Sequence, residues 1–77
     1  MKLIAGVDIG NSTTEVCIGG VREDGSFCFL SSASRMTTGT KGTLPNVMGI
    51  KAALLDAMDA IRQPMSALDL VRLNEAA

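Results

Sequence analysis

The sequence predicts an α/β fold: a three-stranded antiparallel meander, then one helix, then a fourth strand parallel to the first. Three observations predict it. Residues 2–9 are a nearly continuous apolar run with an acidic residue, Asp8, at its end. Two turn signals, Gly10-Asn11-Ser12 and Arg22-Glu23-Asp24-Gly25-Ser26, set off two further β-rich stretches, each short. Beyond residue 43 the apolar spacing changes to threes and fours, the period of a helix.

Taken in order, Lys2 to Ile9 reads as a strand covered on both faces, because its apolar residues run on without alternating. In the first turn, Gly10 and Asn11 both tolerate the positive φ that tight hairpins require. Thr13 to Val21 is the second strand, with Val16 and Ile18 on one face and Glu15 and Cys17 on the other. Asp24-Gly25 tips the second turn, and Phe27 to Ser32 is the third strand. Ser34 to Thr43 is polar, rich in Gly and Thr, and reads as a loop. From Leu44 to about Arg62, Val47, Ile50, Leu54, Met58 and Ile61 form one apolar stripe. Thr43 is the expected N-cap, Pro45 fits the first turn, and Pro64 ends the helix. Ser66 to Asp69 makes a single turn, and Leu70-Val71-Arg72-Leu73 is a fourth strand ending at Asn74. A strand that comes after a crossover helix lies parallel in the same sheet.

Composition narrows the function. Seventy-seven residues make at most one small domain, which buries only about 60% of its unfolded surface and is marginal alone. Net charge is -1 with no basic run, which argues against a nucleic-acid surface. The apolar run at the start stops at Asp8, too short for an export core or a membrane span, so a soluble cytoplasmic protein is expected. There is no His and no clustered thiol pair, which nearly excludes a zinc site, and the lack of His excludes any nucleophile–base pair built on imidazole. Cys17 and Cys28 lie in strands; a disulfide is open to them if the strands pair, but two buried free thiols are expected. Glu15, Glu23 and Asp24 have no carboxylate partner at useful spacing, so acid–base catalysis is not expected within the chain. Met48 and Met58 read as packing. The apolar content reaches 47% with only two Phe and no Trp or Tyr, which suits a piece that docks against more protein and is expected to form an oligomer or to fold poorly alone.

The first turn carries the chemistry. A buried strand delivers the Asp8 carboxylate to its own end, and Gly10-Asn11-Ser12-Thr13 comes at once after it. Gly10 lets the backbone approach a polyphosphate, successive N–H groups make an anion-binding concavity, and the side chains of Asn11, Ser12 and Thr13 add donors. Asp8 would repel phosphate unless Mg²⁺ stands between them, held through water. The same residue types also make an ordinary hairpin turn, and the motif by itself leaves both readings open. Asp8 closes an apolar strand that offers it no basic partner, which favours the phosphate.

Asp8-Ile9-Gly10-Asn11-Ser12-Thr13 resembles the first phosphate motif of the superfamily of actin, sugar kinases and seventy-kilodalton heat-shock chaperones. More narrowly, three blocks together resemble the large subunit of diol and glycerol dehydratase reactivating factors: Leu3 to Val16, Thr37-Thr38-Gly39-Thr40-Lys41-Gly42-Thr43, and Leu73-Asn74-Glu75-Ala76-Ala77. The resemblance implies an actin-like ATPase fold with sheet order 3-2-1-4, and a parent that is an ATP-dependent, chaperone-like factor releasing damaged cobalamin from its dehydratase. It implies ATP or ADP with Mg²⁺ as ligands, Asp8 facing the metal, and Gly10, Asn11, Ser12 and Thr13 cradling phosphates. Lys41 takes the place of a phosphate-side lysine, though a solvated loop lysine explains it as well. Asn74 and Glu75 end a strand on the nucleotide side, which a plain strand terminus also explains. Implied partners are the rest of the ATPase chain, a small reactivase subunit and the dehydratase, with no nucleic acid and no membrane. Residues 1–77 are then an N-terminal fragment that stops where a second domain is inserted in the family, so no catalytic residue is expected within it. Two alternatives stand beside this one: another actin-like ATPase or small-molecule kinase sharing only the first motif, and a non-catalytic docking module.

Overall fold

A computed structural model describes residues 1–40 and 42–75. Chain order is β1 (Lys2–Ile9), β2 (Thr13–Val21), β3 (Phe27–Met36), α1 (Leu44–Ala60), a 3₁₀ turn (Met65–Ala67) and β4 (Leu68–Glu75). The four strands form one sheet in the order β3-β2-β1-β4. β1 and β2 pair antiparallel, as do β2 and β3, and β4 lies parallel to β1. Both the mixed sheet and its order are those the sequence implied.

Strand alternation aims one row of side chains at the helix. Ala5, Val7 and Ile9 of β1 and Val16 and Ile18 of β2 meet Ala53, Leu54, Ala57 and Met58 of α1, all buried. Ile18 and Met58 have no exposed surface, and truncating either to Ala would cost about 2–5 kcal/mol. The Ser31 hydroxyl donates to Ala57 O at 2.7 Å, tying β3 to the helix from within the core. Outside it, Arg35 holds Asp56 through two N–H···O bonds of 2.5 and 3.0 Å.

Several expectations change. Helix α1 covers one face of the sheet only, so β1 is not covered on both faces: Gly6 and Asp8 are exposed. The strand reads as continuously apolar because small and aliphatic residues also occupy its open side. Strand β3 runs on to Met36 instead of ending at Ser32, since the polar Ser34 and Arg35, and Met36 after them, pair with Glu15, Thr14 and Thr13 of β2 while their side chains meet solvent. On the helix, Leu54 and Met58 are buried and Ile50 and Ile61 partly so, but Val47 is 52% exposed. The first-turn position facing inward belongs to Asn46, whose amide donates to Thr38 O at 3.1 Å. Cys17 and Cys28 are both free, but Cys17 is exposed and Cys28 half-buried, because Cys17 falls on the uncovered face.

The helix ends reflect local chemistry. Thr43 stands at the N-cap with an extended backbone (φ -89°, ψ 162°), yet its hydroxyl donates to Thr40 O at 2.5 Å instead of accepting from the first turn. At the other end Arg62 adopts a left-handed φ of 55°. Its N–H reaches Asp59 O at 3.0 Å, and Gln63 N–H reaches Met58 O at 3.1 Å, the paired bonds of a Schellman cap.

Candidate functional site

The alternation that buries Val7 and Ile9 turns Asp8 to the open face, near the carboxyl end of β1. Parallel pairing sets Asn74 of β4 beside it, with Asn74 Nδ2 3.4 Å from Asp8 Oδ1. Antiparallel pairing sets Glu15 of β2 directly opposite on its other side. Arg72 pairs with Gly6 one step down the same face. These residues line an open groove of about 870 Å³, together with Cys17 and Ser34. The carboxyl ends of the two parallel strands thus share one edge of the sheet, where open α/β sheets bind their ligands.

The Gly10–Thr13 turn crowns that edge beyond the groove. Gly10 N–H donates to Thr13 O at 2.9 Å. Neither Gly10 nor Asn11 takes the positive φ expected of them; among the described residues that conformation occurs at Gly25, Gly39, Gly42 and Arg62. Gly10 is required for space instead, since a Cβ there would lie 2.8 Å from Thr13 O. Asn11, Ser12 and Thr13 are exposed. Thr37 braces the turn from behind: its hydroxyl donates to Gly10 O at 2.8 Å and its N–H to Ser12 O at 2.9 Å. Lys41 lies outside the described residues.

Sequence reasoning finds Asp8 and the turn but misses three neighbours. Glu15 stands far from other acids along the chain and so reads as lacking a carboxylate partner, yet the hairpin register gives it Asp8. A register count across the short first turn is the signal that would reveal the pair. Arg72 joins the same face only through β1–β4 pairing. Thr37 lies in a stretch that reads as loop. Among the described residues no three or more Asp, Glu, Cys or His side chains gather as a metal cage. Mg²⁺ does not need one, because it is held by one or two carboxylates, with water and substrate phosphates completing its shell. Asp8 and Glu15, opposite each other in the register of β1 and β2, are two carboxylates of the kind that hold hydrated Mg²⁺, so the donor set fits that ion.

No protein-family model matches the chain. Among curated proteins it is similar to the propanediol dehydratase-reactivating factor large subunit of Citrobacter freundii, at 47% identity over 76 residues, and to that of Salmonella typhimurium, at 49% over 78 residues. Each match covers 99% of this chain and 12% of the relative, so the chain spans about an eighth of the curated relatives' length. Among solved structures it is similar to a diol dehydratase-reactivating factor in nucleotide-free form, with a TM-score of 0.89 and 46% identity over 99% of this chain and 13% of that one. A glycerol dehydratase reactivase matches with a TM-score of 0.84 and 43% identity over 97% of this chain and 12% of that one. An Aquifex aeolicus Ppx/GppA phosphatase shares the fold alone, with a TM-score of 0.60 and 17% identity over 97% of this chain and 26% of that one. In sequence over 99% of its length, and in its actin-like fold, the chain resembles a segment of the large subunit of dehydratase-reactivating factors.

Proposed function

We propose that this chain is the first phosphate-binding segment of an ATP-dependent reactivating factor that frees a diol or glycerol dehydratase of damaged cobalamin. The observation that carries it is the position of Asp8 and the Gly10–Thr13 turn at the shared carboxyl edge of β1 and β4, in a chain whose similarity to reactivating factors runs along its whole length. Similarity confined to the first turn would have suited a small-molecule kinase as well. A solved relative in nucleotide-free form supports a nucleotide as the ligand.

In this reading the turn's N–H groups and the side chains of Asn11, Ser12 and Thr13 hold phosphate oxygens, and Lys41, three residues ahead of Leu44 in the sequence, adds a cation. Asp8 holds hydrated Mg²⁺ with Glu15 beside it, and the metal supplies charge neutralisation between carboxylate and polyphosphate. Asn74 donates to Asp8 and keeps its carboxylate turned to the open face. The segment supplies one side of the nucleotide, and hydrolysis requires groups from the rest of the parent chain, which also meets the small subunit and the dehydratase.

The test is titration calorimetry of ADP and ATP, with and without Mg²⁺, on the full-length protein and two variants. Gly10→Val closes the approach to the turn and should weaken both nucleotides in either condition. Asp8→Asn should lose chiefly the magnesium-dependent part. Wild-type affinity in a folded Gly10→Val protein would remove the phosphate assignment.

A further inference from the structure

Thr37 is tied to the first turn at two points and to Thr14 of β2 at a third. Its hydroxyl carries a single proton, which goes to Gly10 O at 2.8 Å. The 3.0 Å contact between Thr37 Oγ1 and Thr14 Oγ1 therefore has Thr14 as its donor, giving a directed relay from Thr14 through Thr37 to the Gly10 carbonyl. Thr14 is 2% exposed, so this relay is fixed from inside the protein. The Thr37 N–H, donating to Ser12 O at 2.9 Å, holds a second carbonyl of the same turn. Thr37 is itself held from the far side. Its neighbour Thr38 donates its hydroxyl to Pro45 O at 2.7 Å and accepts from the Asn46 amide at 3.1 Å, and Asn46 is 3% exposed.

The consequence lies in peptide geometry. The described chain has no cis peptide, and in a trans unit the C=O and the following N–H point in opposite directions. With the Gly10 and Ser12 carbonyls drawn to Thr37, the N–H groups of Asn11 and Thr13 are directed away from it. We propose that Thr37 is a positioning residue for the phosphate turn: it sets the two peptide planes that present the Asn11 and Thr13 N–H groups to a nucleotide phosphate. The proposal rests on the reading of this turn as a phosphate site. It also gives the first threonine of Thr37-Thr38-Gly39 a role that the nucleotide contacts alone did not assign.

The experiment uses the full-length protein and measures ADP and ATP affinity in the presence of Mg²⁺, with thermal midpoints alongside. Thr37→Val keeps shape and removes the hydroxyl, and should weaken both nucleotides by about tenfold, the size of one hydrogen bond lost from the support of the site. Thr37→Ser keeps the donor and should stay within about twofold of wild type. Thr37→Val also strips the Thr14 hydroxyl of its partner, so Thr14→Val/Thr37→Val is the decisive variant: it removes that orphan, secures folding where the single variant loses it, and should remain as weak as Thr37→Val. Recovery of wild-type affinity in the double variant would assign Thr37 to satisfying Thr14 and overturn the proposal. Wild-type affinity in Thr37→Val, with Gly10→Val still impaired, would overturn it and leave the phosphate reading intact. Wild-type affinity in Gly10→Val as well would show that the phosphate reading had failed first.

Discussion

Asp8 and Glu15 stand directly opposite each other in the register of β1 and β2, two carboxylates on the open face of the sheet. Like charges facing across a strand pair are destabilising, and at most sites such a pair would be a defect. Here the pair sits where the strand ends, the Gly10–Thr13 turn begins and Asn74 approaches from β4.

Glu15→Gln should therefore stabilise the metal-free protein by about 0.2–1 kcal/mol, the range for a cross-strand pair. Millimolar Mg²⁺ should shrink that gain, because the ion removes the repulsion in wild type and has less to remove in the variant. Thermal midpoints of both proteins in chelator and in MgCl₂ provide the check; an equal gain in both conditions would separate Glu15 from the metal.

Arg62 occupies the left-handed position of the α1 C-cap, a conformation that costs a side-chain-bearing residue about 1–2 kcal/mol relative to Gly. Its side chain is exposed. Arg62→Gly should keep both Schellman bonds and raise stability by about 0.5–1 kcal/mol after the extra backbone entropy of Gly is subtracted. Urea denaturation measures it, and a loss of stability would mean that Arg62 contributes contacts the cap geometry does not show.

Arg35 holds the Asp56 carboxyl below the ordinary carboxylate range, chiefly by hydrogen bonding and further by charge, and raises its own guanidinium in return. A carboxyl depressed in the folded state stabilises above its unfolded pKa and loses that contribution as pH falls through the folded one. The Arg35–Asp56 contribution should accordingly be present at neutral pH and fade on acidification below the ordinary carboxylate range. Both side chains are substantially exposed, at 50% and 41%, so the effect should be small and reduced by salt. Comparison of Asp56→Asn with wild type between neutral and strongly acidic pH should show their stabilities converging toward acid.

Phe27 and Phe29 on β3, Leu70 and Leu73 on β4, and Leu44, Val47 and Met48 on α1 are each exposed by 47% or more. An uncovered sheet face and two strand edges add unpaired surface. The 77-residue chain on its own should self-associate, and, since the proposed reading gives it only one side of a nucleotide site, it should turn over no ATP. Sedimentation showing a monomer with a cooperative melt would contradict the first expectation. ATP turnover abolished by Asp8→Ala would contradict the second.

Local signals in the sequence determined the presence of four strands, the two turns and the helix, while the sheet order 3-2-1-4 came with the resemblance. The first turn was legible because Asp8, Gly10, Asn11, Ser12 and Thr13 lie within six residues of one another, so their chemistry needs no folding to be brought together. The sequence alone also carried the resemblance, in blocks spread from Leu3 to Ala77.

Tertiary structure decided the rest, for physical reasons that differ by residue. Asn74 reaches Asp8 across 66 residues, a contact made only when β4 pairs parallel to β1. Val47 yielded the buried face of α1 to Asn46 because a loop carbonyl, Thr38 O, was there to accept its amide. Gly10 is a glycine through the nearness of Thr13 O, not through φ, a distinction no propensity encodes. The bond from Thr37 to the turn depends on β3 running past Ser32 to Met36. That extension was hidden because its polar residues pair with β2 while facing solvent, where hydrophobic alternation leaves no trace.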